Sequence, residues 1–451
     1  MKRFLESSCD VSGPYPRVLL INPQPINRRY ATGITMGNLF RGWPLDRIAQ
    51  IYGSDLEPDR TVCVQSWRLD WLEDSPMPQW LRRQVANRRS RRDVTPCGAV
   101  PGAPERPQHE PLLLRGWVAG VAKTAFWRYA NYAPYAIPQD LYRAVTAFAP
   151  DVIYSMLEGR RISGVAFELS KKLSLPLVPH LMDDWLNQRP SPTNGLLENP
   201  IDRGFHLKTM RLLRDAPVRL VIGAYMAAAY ERRYGCQFLP FMNCVDLEER
   251  PVVRIRGDGA GAFRFGFAGG LLLGRAEALI DIIAATESLS AEGMETEIVI
   301  YQQGAREALP RGVLRAPLLR LADAGEEELL ETADCGIDAF LHVDTFAETP
   351  RKYLQYSMSA KLPWYLAAGV PIFAYGPPEL GTMRYFREQQ CAVVVVRRDQ
   401  ELLQSRLRSF VNDRPVREVL GAKARHVAEE FFDARVQRDA FRRVLAQACG
   451  E

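Results

Sequence analysis

The chain has 451 residues, of which 47% are hydrophobic and 25% are charged. This length exceeds what one hydrophobic core usually fills, so we expect two domains of roughly 200 residues each in an ordinary globular protein. The formal net charge of +5 is mild for this length and does not by itself suggest a nucleic acid, so none is expected as a partner.

No stretch approaches the roughly 18 uncharged apolar residues that a membrane-spanning helix needs. The first residues, MKRFLESSCDVSG, lack the apolar core of a signal peptide. The expected location is therefore the cytoplasm. The eight cysteines form no CxxC pair and no cluster with histidine at metal-ligand spacing. We therefore expect reduced structural thiols and no metal site.

Short apolar runs rich in β-branched residues recur along the first half, as is typical of strands buried on both faces. They are RVLLIN (17–22), TVCVQSW (61–67), DVIYSM (151–156), LPLVPHL (175–181) and RLVIGA (219–224). Helical patterns at 139–149 and 160–173 separate the later runs. This alternation predicts βα units and hence a parallel, doubly wound sheet.

Two glycines, Gly33 and Gly37, follow the first predicted strand in NRRYATGITMGNLFRGWP (27–44). Their spacing is not G-x-G-x-x-G, which disfavours a dinucleotide-binding fingerprint. Two interpretations stay open. The glycines form a loop over a donor or acceptor substrate, or they belong to a simple strand-to-helix turn.

Residues 68–135 interrupt the alternation and form a predicted insertion. Residues 75–111 are rich in Pro, Arg and Gly and predict a surface loop, whereas the aromatic stretch 112–138 predicts either a core-facing amphipathic helix or a membrane-facing patch. Six arginines are clustered in the loop, at Arg82, Arg83, Arg88, Arg89, Arg91 and Arg92. Segments 80–92 and 112–138 could thus hold the protein at the inner face of a membrane, the alternative for the arginines being a solvated loop.

The sequence PHLMDDW (179–185) places His180, Asp183 and Asp184 at the carboxyl end of a predicted strand. Doubly wound sheets bind ligands at that edge, so these side chains are candidate catalytic residues that accept a proton from a sugar hydroxyl or stabilise a cationic intermediate. A hydrogen-bonded structural histidine and a helix-capping aspartate would show the same pattern.

The strand and helix alternation resumes after a polar link at 246–262. The second set of predicted strands is FRFGFAGG (263–270), TEIVIYQQ (296–303), CGIDAFL (335–341), PIFAYG (371–376) and CAVVVV (391–396). The predicted helices lie at 276–290, 326–333, 351–368 and 399–411, and a last helical stretch runs from about 414 to the end. The pattern predicts two tandem Rossmann-like domains that face a cleft, with the last helix crossing back to the first domain.

Two stretches of the second half suit a diphosphate. FAGGLLLGR (267–275) offers Gly269 and Gly270 for close backbone approach and Arg275 for phosphate oxygens. SMSAKLPWYLAAG (357–369) offers Ser359 and Lys361, and the lysine can neutralise charge on a leaving nucleotide.

With these residues in view, the chain resembles the GT-B glycosyltransferases, in particular glycosyltransferase family 4. The likeness covers most of the chain outside 68–135. It rests on the following stretches: AFAPDVIYS (147–155), LSLPLVPHLMDDW (173–185), VIGAYMAAAYERRYG with FMNCVDLEE (221–249), FRFGFAGGL (263–271), TADCGIDAFL (332–341) and SAKLPWYLAAGVPIFAYGP (359–377).

The resemblance implies an acceptor domain at 1–245, a linker at 246–262, a donor domain at 263–425 and a C-terminal helix at 426–451. It implies a cytoplasmic transferase that needs no cofactor or metal and moves a sugar, with retention, from a nucleotide-diphosphate donor to a sugar or lipid-linked acceptor. Such enzymes serve polysaccharide or glycoconjugate assembly. By the same resemblance, Lys361 and Arg275 would bind the donor diphosphate, Gly269 and Gly270 would form the close-approach loop, and His180 would lie near the donor sugar.

The chain departs from the family at its paired glutamates, whose E-x7-E positions are occupied by Tyr356 and Trp364. Ser357, Ser359 or Glu348 could take over part of the donor contacts. Two other functions therefore stay open. One is an inactive sugar-nucleotide-binding partner of a polysaccharide assembly, and the other is a GT-B sugar-nucleotide epimerase.

Overall fold

The computed structural model describes residues 15–28, 31–69, 137–187, 198–253, 261–301, 305–322 and 336–450. The predicted arginine-rich segment, almost all of the aromatic segment and the helix expected at 326–333 lie outside these residues. Within them, no helix is both long and apolar enough to cross a membrane.

The first sheet has seven parallel strands in the order β3-β2-β1-β4-β5-β6-β7. The strands are Val18–Asn22 (β1), Ile48–Tyr52 (β2), Gln65–Arg68 (β3), Val152–Ser155 (β4), Leu177–Leu181 (β5), Leu220–Val221 (β6) and Leu239–Pro240 (β7). Its helices are Ala31–Phe40 (α1), Gln139–Phe148 (α2), Arg160–Leu173 (α3), Glu198–Asp215 (α4) and Ala224–Tyr234 (α5). Single 3-10 turns lie at Leu45–Arg47 and Trp185–Asn187.

Both faces of the first sheet are buried along β1 and β4, which explains why these two strands are largely apolar. Along β1, Val18 and Leu20 pack into one core, and Leu19 and Ile21 pack into the core on the opposite face. The alternation follows from the two-residue period of a strand.

The second sheet has six parallel strands in the order β10-β9-β8-β11-β12-β13. They are Phe263–Phe267 (β8), Thr296–Ile300 (β9), Leu319–Leu321 (β10), Ala339–Val343 (β11), Ile372–Tyr375 (β12) and Val393–Val395 (β13). The helices are Arg275–Ala291 (α6), Ala305–Ala308 (α7), Glu348–Leu354 (α8), Leu362–Ala367 (α9), Gly381–Gln389 (α10), Gln400–Asn412 (α11), Arg414–Phe431 (α12) and Ala434–Ala448 (α13), with a 3-10 turn at Val313–Arg315. The two doubly wound sheets confirm the predicted fold class.

The helix expected at 351–368 is in fact two short helices, α8 and α9, joined by an irregular stretch that we call the 355–361 segment. Pro363 lies in the first turn of α9. Within a continuous helix a proline would remove a backbone hydrogen bond and clash with the preceding turn, whereas the first turn tolerates it. The break therefore places Ser359 and Lys361 in irregular backbone.

The last helical stretch is also divided, because Asp433 begins a new helix by accepting a hydrogen bond from the backbone N–H of Arg435. The first part, α12, packs in the second domain, where Val427 and Ala428 join the core. The second part, α13, inserts Phe441 and Val444 into the core of the first domain. The predicted return of the C-terminal helix to the first domain is confirmed.

The chain crosses between the domains twice, and the two crossings are bonded to each other. The Val245 N–H donates to the Phe432 carbonyl at 2.9 Å, and the Ala434 N–H donates to the Val245 carbonyl at 3.0 Å. The two domains are thus joined through one paired connection rather than two independent ones.

Candidate functional site

The loop after β8 brings backbone to the carboxyl edge of the second sheet. A Cβ on Gly269 would lie 2.8 Å from the ring of Phe267, so the tight approach requires glycine, while Gly270 faces open space. The Ala268 N–H donates to the hydroxyl of Tyr365 in α9 at 2.9 Å. The loop is therefore held against the sheet with exposed backbone at its tip.

Arg275 begins α6 directly after this loop and is ion-paired. Its Nε lies 2.9 Å from Oδ1 of Asp344, whose Oδ2 lies 3.1 Å from Nε2 of His342. Gly274 adopts a left-handed conformation against Thr345, where a Cβ would lie 2.4 Å from the Thr345 hydroxyl oxygen. A guanidinium carries five N–H donors, so the bond through Nε fixes the group and leaves donor capacity for an anion.

Asp344 stays ionised under this arrangement. Its burial alone would raise the pKa of the carboxyl, but the charge of Arg275 and the hydrogen bond with His342 outweigh burial and lower the pKa to about 2. The sequence analysis did not name Asp344 and His342 as site residues. They come directly after the predicted strand at 335–341, and this position at the carboxyl edge was the sequence signal that could have identified them.

Lys361 and Ser359 lie in the 355–361 segment, which is linked to the glycine loop through Tyr365. The Lys361 carbonyl accepts from the Tyr365 N–H at 2.9 Å, and Tyr365 in turn binds the loop at Ala268 through its hydroxyl. The Ser359 N–H donates to the Thr382 hydroxyl at 2.9 Å. The structure thus brings the lysine's backbone and the glycine loop to one edge of the sheet.

His180 is fully buried in β5 and both of its ring nitrogens have partners. Nε2 lies 2.9 Å from the Phe241 carbonyl and therefore carries the proton, and Nδ1 accepts from the Tyr154 hydroxyl at 2.6 Å. Burial lowers the pKa of His180 to about 4, so the ring is neutral at physiological pH. These contacts are those of the structural alternative that the sequence left open for this residue.

Asp183 and Asp184 face different surroundings although they are adjacent. Asp184 is buried and accepts from the Tyr230 hydroxyl at 2.8 Å inside the first domain. Asp183 points across to the second domain, where its carboxylate accepts from the Ser357 hydroxyl and from the Tyr353 hydroxyl, the latter at 3.2 Å. Of the three predicted catalytic side chains, Asp183 is therefore the one that reaches the other domain.

Gly33 and Gly37 lie inside α1 rather than in a loop. A Cβ on Gly33 would lie 1.9 Å from the Asn27 side chain, and one on Gly37 would lie 3.4 Å from Ile26. Gly33 therefore allows α1 to pack against the loop that follows β1, whereas a Cβ on Gly37 would make an ordinary contact. This is the packing role of the strand-to-helix alternative.

Glu158 is a cleft residue that sequence reasoning missed. It follows β4 at the carboxyl edge, where neighbouring protein atoms and then the negative charge of Asp183 raise the pKa of its carboxyl. The preceding Leu157 is buried in a left-handed conformation, which is unusual for a leucine. No residue type in DVIYSMLEGR distinguishes this glutamate from an ordinary surface one.

Among the described residues, no group of three or more His, Cys, Asp or Glu side chains is arranged to hold a metal ion. At the edge of the second sheet the basic residue Arg275 instead follows the exposed glycine backbone, and the Lys361 backbone is linked to the same loop through Tyr365. This combination suits a phosphate-bearing ligand.

No protein-family model matches the chain, and no curated protein matches it in sequence. Solved structures do match in fold. HepE of Anabaena, solved in complex with UDP and glucose, has a TM-score of 0.58 at 13% identity over 96% of this chain and 100% of its own. Sucrose-phosphate synthase of Thermosynechococcus elongatus has a TM-score of 0.60 at 10% identity over 95% of this chain and 98% of its own.

A glycosyltransferase of Rickettsia africae also matches, with a TM-score of 0.54 at 7% identity over 96% of this chain and 99% of its own. These matches extend over both sheets and the C-terminal helices, not over one domain alone. The chain therefore has the GT-B fold, as the resemblance in its sequence predicts.

Proposed function

We propose that the protein is a glycosyltransferase that moves a sugar from a nucleotide-diphosphate donor to an acceptor hydroxyl. The observation that carries this proposal is the match of nearly the whole chain to HepE in complex with UDP and glucose. In doubly wound domains, ligands bind outside the carboxyl ends of the strands. The contact of Asp183 with Tyr353 and Ser357 supports a cleft between two such edges.

On the donor side, Lys361 and Arg275 bind the diphosphate, and the Gly269–Gly270 loop lets backbone approach it. Ser359 adds a hydroxyl next to the lysine. As the sugar departs, negative charge grows on the leaving diphosphate, and fixed positive groups stabilise that charge. Asp344 contributes by holding Arg275 in place before the donor arrives.

On the acceptor side, Asp183 and Glu158 supply carboxylates that can bind sugar hydroxyls. His180 and Asp184 act behind them, as buried groups that fix β5 and its carboxyl end. Retention of configuration, transfer of a hexose and a role in polysaccharide or glycoconjugate assembly are carried over from the family resemblance, and they belong to this proposal.

The acceptor that we propose is a sugar or a lipid-linked sugar, reached by peripheral contact with a membrane through segments 80–92 and 112–138. Clustered arginines attract anionic headgroups, and this attraction weakens as salt screens it. Sedimentation with anionic vesicles in rising salt tests the contact. Binding at low salt that is lost at high salt would support it, and the absence of binding at low salt would refute it.

A second candidate function is nucleotide-sugar binding without transfer, and the positions of Tyr356 and Trp364 favour it. Trp364 packs against Phe340, with ring centroids 5.2 Å apart, and the guanidinium of Arg250 lies 4.7 Å from its ring centroid. Trp364 therefore packs against other side chains at the position where the family has a glutamate that binds the ribose.

Calorimetry and thermal-shift binding with UDP, GDP, ADP and dTDP, each alone and as its nucleotide sugar, distinguish these candidates. Donor hydrolysis or transfer, followed as release of the nucleoside diphosphate, supports the glycosyltransferase. Binding without release supports the second candidate. If none of the four nucleotides binds, both proposals fail.

A further inference from the structure

The 355–361 segment, which carries Ser359 and Lys361, is held by the first domain at three places. The Ser357 hydroxyl donates to Asp183, and Met358 packs against the hydrophobic cores of both domains. The side chain of Asn243 donates from Nδ2 to the Ala360 carbonyl at 2.7 Å. The three contacted residues, Ser357, Met358 and Ala360, lie just before Lys361 in the sequence.

The first-domain side of these contacts is itself fixed. Asn243 is buried, and its Oδ1 accepts from Asn38 at 2.8 Å and from the Cys244 N–H at 3.0 Å. A Cβ on Gly223 would lie 3.0 Å from Cγ of Met358, so this glycine lets the methionine approach. The first domain therefore presents a preformed surface to the segment.

Within its own domain the segment has few regular backbone bonds. Ser359 is bonded to Thr382 in α10, and the Ser357 carbonyl lies so close to Gly381 that a Cβ there would be 2.6 Å away. Irregular backbone between two short helices is positioned by such side-chain contacts rather than by a helix or sheet ladder. The contacts from the first domain therefore contribute substantially to the orientation of the 355–361 segment.

We infer that the first domain sets the nucleotide affinity of the second domain through the 355–361 segment, with Asp183 and Asn243 as positioning residues. This inference rests on the proposed donor site at Lys361. A binding group must be held in its productive position before the ligand arrives, since ordering it afterwards costs affinity. Asp183 thus acts on the nucleotide through Ser357 and Tyr353, without touching it.

The test measures the Kd of UDP by calorimetry, or of GDP, ADP or dTDP if that nucleotide binds the wild type best. Asp183→Ala and Asn243→Ala should each raise Kd about tenfold, in the range of measured coupling between sites. Asp183→Asn keeps one acceptor oxygen and should restore most of the affinity. Ser357→Ala removes the hydroxyl that donates to Asp183, so it breaks the same hydrogen bond from the second domain and should also raise Kd.

Tyr225→Phe is the matched control. The Tyr225 hydroxyl donates to Glu388 of the second domain at 2.6 Å, so this variant also removes a hydrogen bond between the domains, but one made to α10 and not to the 355–361 segment. It should change Kd by less than about twofold. In a Lys361→Ala background, Asp183→Ala should likewise add less than about twofold, because residues that act through one group are not additive.

Several outcomes would overturn the inference. These are an unchanged Kd in folded Asp183→Ala and Ser357→Ala, an equal effect of Tyr225→Phe, or full additivity with Lys361→Ala. If the wild type binds none of the four nucleotides, the proposed function fails and the inference fails with it. If the wild type binds a nucleotide and the Asp183 and Asn243 variants bind it with the same Kd, the inference fails but the proposed function stands.

Discussion

Arg438 of α13 binds Asp246 of the connection between the domains through both of its terminal nitrogens. The Nη1 and Nη2 atoms lie 2.6 Å and 2.7 Å from the two carboxylate oxygens, and Nε donates to the Asn38 carbonyl in α1 at 2.7 Å. Burial alone would raise the pKa of Asp246, but Arg438 and Arg41 outweigh it and lower the pKa. One guanidinium thus joins the last helix, the first helix and the connection.

We expect Arg438→Ala to lower the free energy of unfolding by about 3 kcal/mol, because it leaves a partly buried carboxylate with a single remaining partner in Arg41. Arg438→Lys should restore only part of the lost free energy of unfolding, since an ammonium cannot form the planar contact with two hydrogen bonds. Urea unfolding at neutral pH measures both. Arg435→Ala is the control, because this exposed side chain pairs with Glu248 and Asp433 at the surface and should contribute less than about 1 kcal/mol. Equal losses for Arg438→Ala and Arg435→Ala would contradict this prediction.

Lys361→Ala should cost roughly 2 to 4 kcal/mol of transition-state stabilisation, seen mostly in turnover, because the variant loses a positive group beside the leaving diphosphate. The rate of donor hydrolysis or transfer measures this loss. Lys352→Ala in the neighbouring α8 removes an exposed lysine paired with Glu348 and should leave both turnover and nucleotide binding unchanged. Wild-type binding and turnover in both Lys361→Ala and Arg275→Ala would place the donor elsewhere.

Arg275→Ala should weaken nucleotide binding and also lower the free energy of unfolding by roughly 1 to 3 kcal/mol, since Asp344 loses a partner in a buried place. Arg275→Ala combined with Asp344→Asn should recover part of the stability but none of the affinity. Urea unfolding and calorimetry on the same samples separate the two effects. Arg408→Ala, which removes an exposed pair with Glu292, is the control. Recovery of nucleotide affinity in the double variant would argue against phosphate binding by Arg275.

His180 should make the protein less stable in mild acid. Its pKa falls from an ordinary 6.5 to about 4 in the folded chain, so the unfolded chain binds more protons between these values. The contribution to stability is full above pH 6.5 and falls by about 3 kcal/mol as the pH drops towards 4. Urea unfolding between pH 7 and pH 4.5 should show a shallower pH dependence in His180→Gln.

His426→Gln is the matched control for that measurement, because His426 is exposed on α12. Its pH dependence should match the wild type. An equally steep dependence in His180→Gln would mean that other groups cause the acid sensitivity. Loss of turnover without loss of stability in that variant would support the catalytic role that the sequence suggested.

The regular elements were predictable because they depend on local periodicity. Apolar runs such as RVLLIN marked strands buried on both faces, and the helix at 160–173 has the bounds that the pattern predicts. The break between α8 and α9 was harder to predict, since the residues that follow α8, such as Ser357 and Met358, contact the other domain. The sequence signal for a break was Pro363, which lies in the first turn of α9 rather than inside a continuous helix.

The candidate site was only partly predictable, for a similar reason. Gly269, Gly270, Arg275 and Lys361 could be named from their positions beside predicted strands. The pairing of Arg275 with Asp344 could not, because it joins residues 69 positions apart. The sequence also could not distinguish a buried, doubly bonded His180 from a catalytic one, since that depends on Tyr154 and Phe241 in three dimensions.

The insertion of α13 into the first domain has a consequence for biosynthesis. Arg438 and Asn38 are in contact although 400 residues separate them, and Phe441 packs 5.0 Å from Phe40 between ring centroids. The ribosome must therefore produce the entire second domain before the first domain can close its apolar core. Until then, the surface that α13 covers is open to chaperones and to other nascent chains, and the first domain can complete its folding only once α13 has been made.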